Sequence, residues 1–529
     1  MQKKIFTTSF ILFFLIVLAI GLRVYKLDKY GLWGDEQWSV TTSVGLKFPM
    51  FSGTPGFWND WMRDWQTSWW ENDTSWKNKK EFTSNDFWKF NTPSHVLNAT
   101  VFNSNNPAYS ISLHYWIKAF GISDFSVRFF SSLFGILLVC LTFPFTKLLF
   151  NSDRIGLFSV FLIAIHPLMI LQSQSAKPYS MAIFFSFLST FLFLKILKGA
   201  QNKFLIAGYI AASLVALLTH MVSVSVFLGH AFIMLFFVRK KIQWWKLGAS
   251  GLAIALVYSL WFFNYGIKSF DFLSTYAEFI RANVNNPQWT GHLFFIPFTP
   301  VNFLRALEKV VLALFGNTIY MFNPNLRLRY LVLLFLIPVI IIAVGYFKIR
   351  KEQVSKKELL MLFTLLATQF LFAMAIAFKE KLMIEISPLR FVFTVPFAIV
   401  LFAAISYKVM AANRLMGKLF AFLTVVQIGF MLYCTFQIYF DPREQGYDFI
   451  RTPNLYKSAA TVIVSSYQDK DTIIFRDWRT AQITNLYLED VHHVIQRVDT
   501  TIQKLGDRIL LSKYQTGERT PIFDFKARE

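Results

Sequence analysis

"IFTTSFILFFLIVLAIGLRVYKLDKYGLWGDEQWSV", residues 5–40, opens on a run without charge, residues 5–22, and ends on two adjacent acids, Asp35 and Glu36. The run is long enough for a helix to cross about 30 Å of hydrocarbon. Tyr30, Trp33 and Trp38 then flank the acids, and such rings favour the membrane–water interface. The stretch therefore reads as a transmembrane helix that delivers two carboxylates to one membrane surface. Two readings of the acids stand at this point. They can cap an interfacial helix that follows, because acids favour a first turn, or they can carry chemistry.

Similar apolar runs recur along most of the 529 residues, of which 55% are hydrophobic, 61 are Phe and only 16% are charged. Soluble chains carry about 25% charged residues, so the fold class is mainly α, a polytopic transmembrane helical protein. Hydropathy places about eleven spans near residues 5–24, 126–149, 155–170, 179–197, 203–219, 221–238, 246–264, 329–347, 358–378, 389–408 and 418–438. The third is short and ends at "HPLMI". The net charge of +22 gathers in short loops at Lys195, Lys198 and Lys203, at Arg239, Lys240 and Lys241, and from Lys348 to Lys357. This is the positive-inside pattern of cytoplasmic loops. It places the N-terminus inside and the C-terminus outside, and it excludes the basic reading face that nucleic acid would need. Lys3 and Lys4 precede the first span without a small-residue cleavage site, which reads as an uncleaved anchor. Cys140 and Cys434 lie inside apolar runs and read as small core hydrophobes.

Two large segments then fall on the outer face, 25–125 and 265–328, within a transmembrane domain spanning 1–440. In "NNPAYSISLHYWIKAFG", residues 105–121, Tyr109, Leu113, Trp116, Ile117 and Phe120 share one helical face, while Ser110, His114 and Lys118 share a solvent-facing one. The length and polarity suit an interfacial helix. In the second segment Leu304, Leu307, Val311 and Leu314 line an amphipathic helix. Residues 441–529 change composition. "DTIIFRD", "HHVIQRV" and "RILLSKY" read as strands, and 454–467 and 478–488 as helices, giving a small extracytoplasmic α/β domain. It has no Gly-rich phosphate loop. Sequons stand at Asn72 and Asn98.

Three further stretches weigh on the acids: "NNPAYSISLHYWIKAFGISDFSVRFFSSLFGIL", "HPLMILQSQSAKPYSMAIF" and "SPLRFVFTVPFAIVLFA". With the Asp35–Glu36 pair they resemble, in order and topology, the GT-C superfamily of integral-membrane glycosyltransferases. The branch they resemble holds the protein O-mannosyltransferases and the lipid A aminoarabinose transferases. That pattern has an Asp-Glu pair in the first outer loop, a Pro-x-Tyr helix before an Arg-bearing second span, a Gln-x-Ala-Arg-x-Tyr-like turn and a late Pro-Arg-Tyr-like turn. Here "NNPAY" replaces a His-Pro-Pro-type run, Lys177 stands for Arg, and Phe391 stands for Tyr.

The resemblance implies transfer of a sugar from a polyprenyl-phosphate donor to a lipid, glycan or protein acceptor, with membrane lipids as surroundings and no nucleic acid. Phosphate leaves as a stable anion, so no general acid is needed at that oxygen. A base is needed on the opposite face of the sugar, and cations are needed at the phosphate. The resemblance makes Asp35 the base and Glu36 its neighbour in orienting the acceptor. It makes Lys177, Arg128 and Arg390 the phosphate ligands with Tyr179 beside them, and puts Tyr109 and His114 on the acceptor side. Arg128 and Arg390 can instead snorkel to headgroups, and His166, His220 and His230 read as packing residues. Asp35 and Glu36 could hold a divalent ion through oxygen ligands, but two adjacent acids are too few to argue a cage, and no cofactor is required. The expected location is a bacterial inner membrane, with the active site periplasmic. The rival reading is a non-catalytic lipid or glycan transporter or assembly protein. It predicts polar groups along a midplane path, whereas here the ionisable groups gather at the outer rim.

Overall fold

The computed structural model describes residues 2–46, 92–267, 298–318, 356–381 and 388–440, apart from one or two positions at a time, together with 82–83 and the elements between 455 and 525. The Trp-rich stretch around 57–76 and the expected span at 329–347 lie outside the described residues. The chain divides into two compact units. The larger comprises Met1–Lys26, Arg128–Ile267 and Leu273–Ile450; the smaller comprises Leu27–Val127, Lys268–Phe272 and Arg451–Glu529.

The larger unit is a helical bundle. It opens with α1 (Gln2–Val24), whose Phe10, Phe13, Phe14 and Val17 stay exposed as a lipid-facing surface requires. Among the described residues seven helices are long and apolar enough to cross a membrane, or up to eight if a bent pair is one span. Shorter apolar helices run over Lys203–Thr219 and Met221–Phe237. Every expected span other than 329–347 falls on a helix or a helix pair.

The third span is the one whose form differs from expectation. It breaks by 60° into α6 (Asp153–Ala164) and α7 (Pro167–Ser173). Pro167 has no amide hydrogen to continue the ladder, and the His166 ring caps the new helix by accepting from Met169 N–H at 3.4 Å. A break inside a membrane leaves carbonyls that water cannot reach. Here they are met from other helices. The Arg23 guanidinium, wholly buried at the end of α1, donates to Ile163 O at 3.2 Å and Ala164 O at 3.1 Å. Thr435 donates to Ile165 O at 2.9 Å. A cation at the C-terminal end of α6 also matches its helix dipole.

The core is filled with Phe. Phe187, in α8 (Tyr179–Leu197), lies 4.2 Å from Phe145, ring centre to ring centre, and 5.4 Å from Phe397. Phe145 belongs to α5 (Asp124–Phe150) and Phe397 to α15 (Val395–Ala412). Small residues allow close crossings. A methyl on Gly229, in α10 (Val224–Phe237), would come within 2.7 Å of Leu365 on α13 (Lys356–Glu380). At one rim the basic residues are tied across helices: Lys147 to Asp153 at 3.0 Å, Lys198 to Glu358 at 3.6 Å, and Arg154 to the Tyr407 hydroxyl at 3.2 Å.

The smaller unit joins the segment that follows α1 to the chain's end. It holds α2 (Gly34–Ser43), α3 (Pro93–Phe102) and α4 (Pro107–Phe120), then α17 (Leu455–Ser466) and a five-stranded mixed sheet. The strands run β1 (Phe82–Thr83), β2 (Thr472–Phe475), β3 (Ile495–Val498), β4 (Ile509–Gln515) and β5 (Glu518–Phe525), in spatial order β1-β3-β2-β4-β5. β2 and β3 are parallel, and the other pairs antiparallel. The three expected strands are present. β1 and β5 are additions that alternation did not reveal: one is two residues long, and the other is an edge strand that carries Pro521 and three charged residues in its sequence. Of the helix expected over 478–488, residues 484–485 are helical and run into a turn over 486–487; residues 478–483 lie outside the described residues. Tyr487 there donates to Asp124 Oδ1 at 2.6 Å. The sequon at Asn98 sits inside α3, with Thr100 fully buried and bonded to Val96 O at 2.7 Å.

Two amphipathic readings change. Along α4 the buried stripe is Tyr109, Ser110, Leu113, His114 and Ile117, while Phe120 is exposed. It lies between the two faces read from the sequence, so His114 does not face solvent. In α12 (Pro300–Leu314) Val310, Leu312 and Ala313 are buried, and Leu304 is exposed rather than part of the packed face.

Candidate active site

In the larger unit the candidate site grows from the turn between α7 and α8. Its backbone is held from two neighbouring helices. The Gln174 amide donates to Leu22 O and Tyr25 O, both at 3.1 Å, and Ser131 on α5 donates to Lys177 O at 3.3 Å. The Lys177 N–H closes the turn on Ser175 O at 2.7 Å, and Pro178, with φ at −66°, leads straight into α8. Lys177 is thereby buried at its rim with its Nζ 5.0 Å from the centre of the Tyr179 ring. That is cation–π range.

The Tyr179 ring lies 4.9 Å from that of His220, and both face Phe393, at 6.4 and 5.3 Å. His220 stands between α9 (Lys203–Thr219) and the 3-10 turn Met221–Ser223. Arg390 arrives on the short helix α14 (Pro388–Phe391). Gln369 fixes that turn: its Nε2 donates to Arg390 O at 3.1 Å, while its Oε1 accepts from Ser225 Oγ at 2.6 Å. Arg390 stands three residues before Phe393, whose ring faces both His220 and Tyr179. Lys177, Tyr179 and Arg390 therefore share one corner with His220, which the sequence reading had left as packing. Arg128 does not snorkel: it is buried in the first turns of α5, three residues before Ser131. The other histidines do read as internal. His166 caps α7, and the His230 ring stacks on Phe193 at 4.5 Å and bonds Thr190 at 2.9 Å.

In the smaller unit Asp35 and Glu36 occupy the first turn of α2, where the helix dipole favours carboxylates. Asp35 is half-buried, while Glu36 is only 1% exposed. The approach is fixed by Gln37, which donates to Leu32 O at 2.6 Å, and the helix continues through Ser39 donating to Asp35 O at 2.9 Å. At the other end of α2 the Ser43 carbonyl accepts from His114 Nδ1 at 3.1 Å. That bond puts the proton on Nδ1 and leaves His114 Nε2 as an acceptor, buried and without a hydrogen bond among the described residues. Burial holds the ring below its usual pKa, and Lys118 lowers it further against the opposing Ser43 bond. Tyr109 is buried on the same helix. Tyr30 and Trp33 lie outside the described residues. Among the described residues no three His, Cys, Asp or Glu side chains gather as metal ligands.

A corner with two cations and a carboxylate-bearing helix N-terminus are the parts that the GT-C resemblance calls for. Residues 106–262 match the family model described as dolichyl-phosphate-mannose-protein mannosyltransferase. The match takes in Arg128, Lys177, Tyr179 and His220; Asp35, Glu36 and Arg390 lie beyond it. Over that stretch the resemblance read from short motifs is found by an independent sequence comparison.

No curated protein sequence matches the chain. Among solved structures, ArnT from Cupriavidus metallidurans in the apo state is 13% identical, with a TM-score of 0.48 over 91% of this chain and 84% of that one. The same protein bound to undecaprenyl phosphate matches at 11% identity over the same shares. The Archaeoglobus fulgidus oligosaccharyltransferase in complex with Zn and sulfate is 13% identical, with a TM-score of 0.47 over 87% of this chain and 56% of that one. Overlaps this loose carry no function, and the reading rests on the residues.

Proposed function

We propose that this protein is a multi-pass membrane glycosyltransferase that moves a sugar from a polyprenyl-phosphate carrier to a lipid, glycan or protein acceptor outside the cytoplasm. The observation that carries the reading is the corner of the larger unit where Lys177 and Arg390 bring two fixed positive charges to one partly apolar rim. A polyprenyl phosphate has its charge at the headgroup and its tail in lipid, so its phosphate must be met at such a rim.

In the proposed step the acceptor oxygen attacks the anomeric carbon as the bond from that carbon to the phosphate oxygen breaks. The electron pair leaves on the phosphate, which gains a negative charge. Lys177, Arg390 and the buried Arg128 stabilise that charge, an effect magnified where water is excluded. The acceptor's proton passes to the Asp35 carboxylate as general base. Glu36, sequestered beside it, orients the acceptor rather than exchanging protons with bulk water.

A binding assay and a transfer assay on the purified full chain test the assignment together. Lys177→Ala or Arg390→Ala should weaken binding of a polyprenyl phosphate about tenfold or more, since removing one partner of a desolvated charge pair is costly. Asp35→Asn should leave that binding nearly unchanged and lose transfer. A transporter would also bind the carrier, but it would tolerate Asp35→Asn. If both cation variants bind like wild type, the phosphate is held elsewhere and the reading fails.

A further inference from the structure

His220 occupies a place in the larger unit that packing alone does not require. It caps the 3-10 turn Met221–Ser223, its Nδ1 accepting from Val222 N–H at 3.2 Å. An Nδ1 used as acceptor leaves the proton of the neutral ring on Nε2. The ring cannot swing away, being held against Tyr179 at 4.9 Å and Phe393 at 5.3 Å. It is half-buried, and among the described residues nothing accepts from its Nε2. Burial, and then the positive charges of Arg390 and Lys177, favour the uncharged form. His220 thus differs from His230, both of whose ring nitrogens have side-chain partners, Thr190 at 2.9 Å and Tyr209 at 3.3 Å.

The geometry points to the Nε2–H of His220 as an uncharged donor to the carrier phosphate, added to the cations Lys177, Arg390 and Arg128. Each phosphate oxygen accepts more than one hydrogen bond, so acceptor sites remain beside the cations. A further cation would raise the repulsion among charges before the carrier arrives. A neutral donor adds a hydrogen bond and its direction without that cost. The role rests on the phosphate-corner reading proposed above and extends it to a residue outside the four expected donor ligands.

The test uses the full-length protein, titrated with a polyprenyl phosphate at fixed ionic strength, with thermal unfolding as a check on each variant. His220→Asn keeps a side-chain acceptor for the Val222 N–H but is too short to reach the Nε2 position. His220→Phe keeps the ring against Tyr179 and Phe393 and has no donor. His220→Gln carries an amide N–H that can reach the Nε2 position. The Asn and Phe variants should bind about tenfold more weakly, the scale of one hydrogen bond to a charged group, and Gln should stay close to wild type. A Phe variant that binds like wild type makes the ring a packing element and overturns the inference. So does a Gln variant as weak as the other two. Lys177→Ala, run alongside, separates the two levels. If it weakens binding while Asn and Phe at 220 do not, only the role of His220 falls. If Lys177→Ala and Arg390→Ala both bind like wild type, the phosphate corner falls and His220 with it.

Discussion

At the scale of single residues, Asp35 and His114 make opposite demands on a measurement. Asp35 is half-buried in the first turn of α2, so a neutral isostere keeps its hydrogen-bonding shape while removing the base. Asp35→Asn should therefore fold normally and lose transfer by about 10²-fold or more, the scale of general-base catalysis. Full activity in that variant would leave only the capping role. His114 is tested by pH. Its folded pKa lies below the ordinary value because burial and Lys118 disfavour the charged ring. The unfolded state therefore binds the proton more readily, and the ring opposes folding as pH falls below about 6.5, with no effect well above it. The unfolding midpoint of wild type should drop faster than that of His114→Gln on acidification through that window, the two curves running parallel above it. Parallel curves throughout would show that the ring titrates as it does in water. The sequence could nominate Asp35 from chemistry, since two acids among interfacial rings are conspicuous. It could not orient His114, because an amphipathic pattern assumes one covered face. Here α2 covers the polar side of α4 as well and turns a solvent-facing position into a buried one.

At the scale of elements, the lengths of the apolar runs gave the helices, and what they could not give was the way one helix answers another. The third span shows why. "AIHPLMI" reads as continuous hydropathy, yet Pro167 opens the ladder, and Arg23 and Thr435, from α1 and α16 (Arg414–Phe440), satisfy the carbonyls it frees. Those partners lie more than a hundred residues away along the chain, beyond any local window. The same holds for Arg390. Its motif is visible as "SPLRF", but the Gln369 that fixes its backbone is anonymous in the sequence of α13. Gln369 is only 1% exposed and bridges Ser225 to the Arg390 carbonyl. It touches no substrate in this reading, and its role is positioning. Gln369→Leu should raise KM for the carrier-linked donor by about threefold to tenfold, the worth of a buried hydrogen bond, while kcat stays near wild type. A loss confined to kcat, or a fall in both with the unfolding midpoint, would mark a general structural role instead.

At the scale of the whole molecule, the charge distribution makes a prediction about sidedness. In the larger unit one rim carries Lys147, Arg154, Lys198 and Glu358 in cross-helix pairs, and Lys203, Lys240 and Lys241 stand at helix starts on the loops that share this basic character. The turns holding Lys177, His220 and Arg390 lie at the other ends of the helices that these loops join. The positive-inside rule counts Lys and Arg in short loops and assigns the crowded side to the cytoplasm. Reporter fusions after residues 241 and 352 should therefore read cytoplasmic, and those after residues 90 and 460 external. The second pair carries more weight for function. Residues 90 and 460 lie within the smaller unit, which holds Asp35 and Glu36 and whose sheet ties Phe82–Thr83 to Ile495–Val498. Strands hydrogen-bonded in one sheet lie on one side of a membrane, so both fusions must report the same side. If they disagree, the pairing of β1 with β3 is wrong. If both read cytoplasmic, the acids face the compartment opposite to the proposed acceptor, and the transfer reaction as written cannot take place on that side.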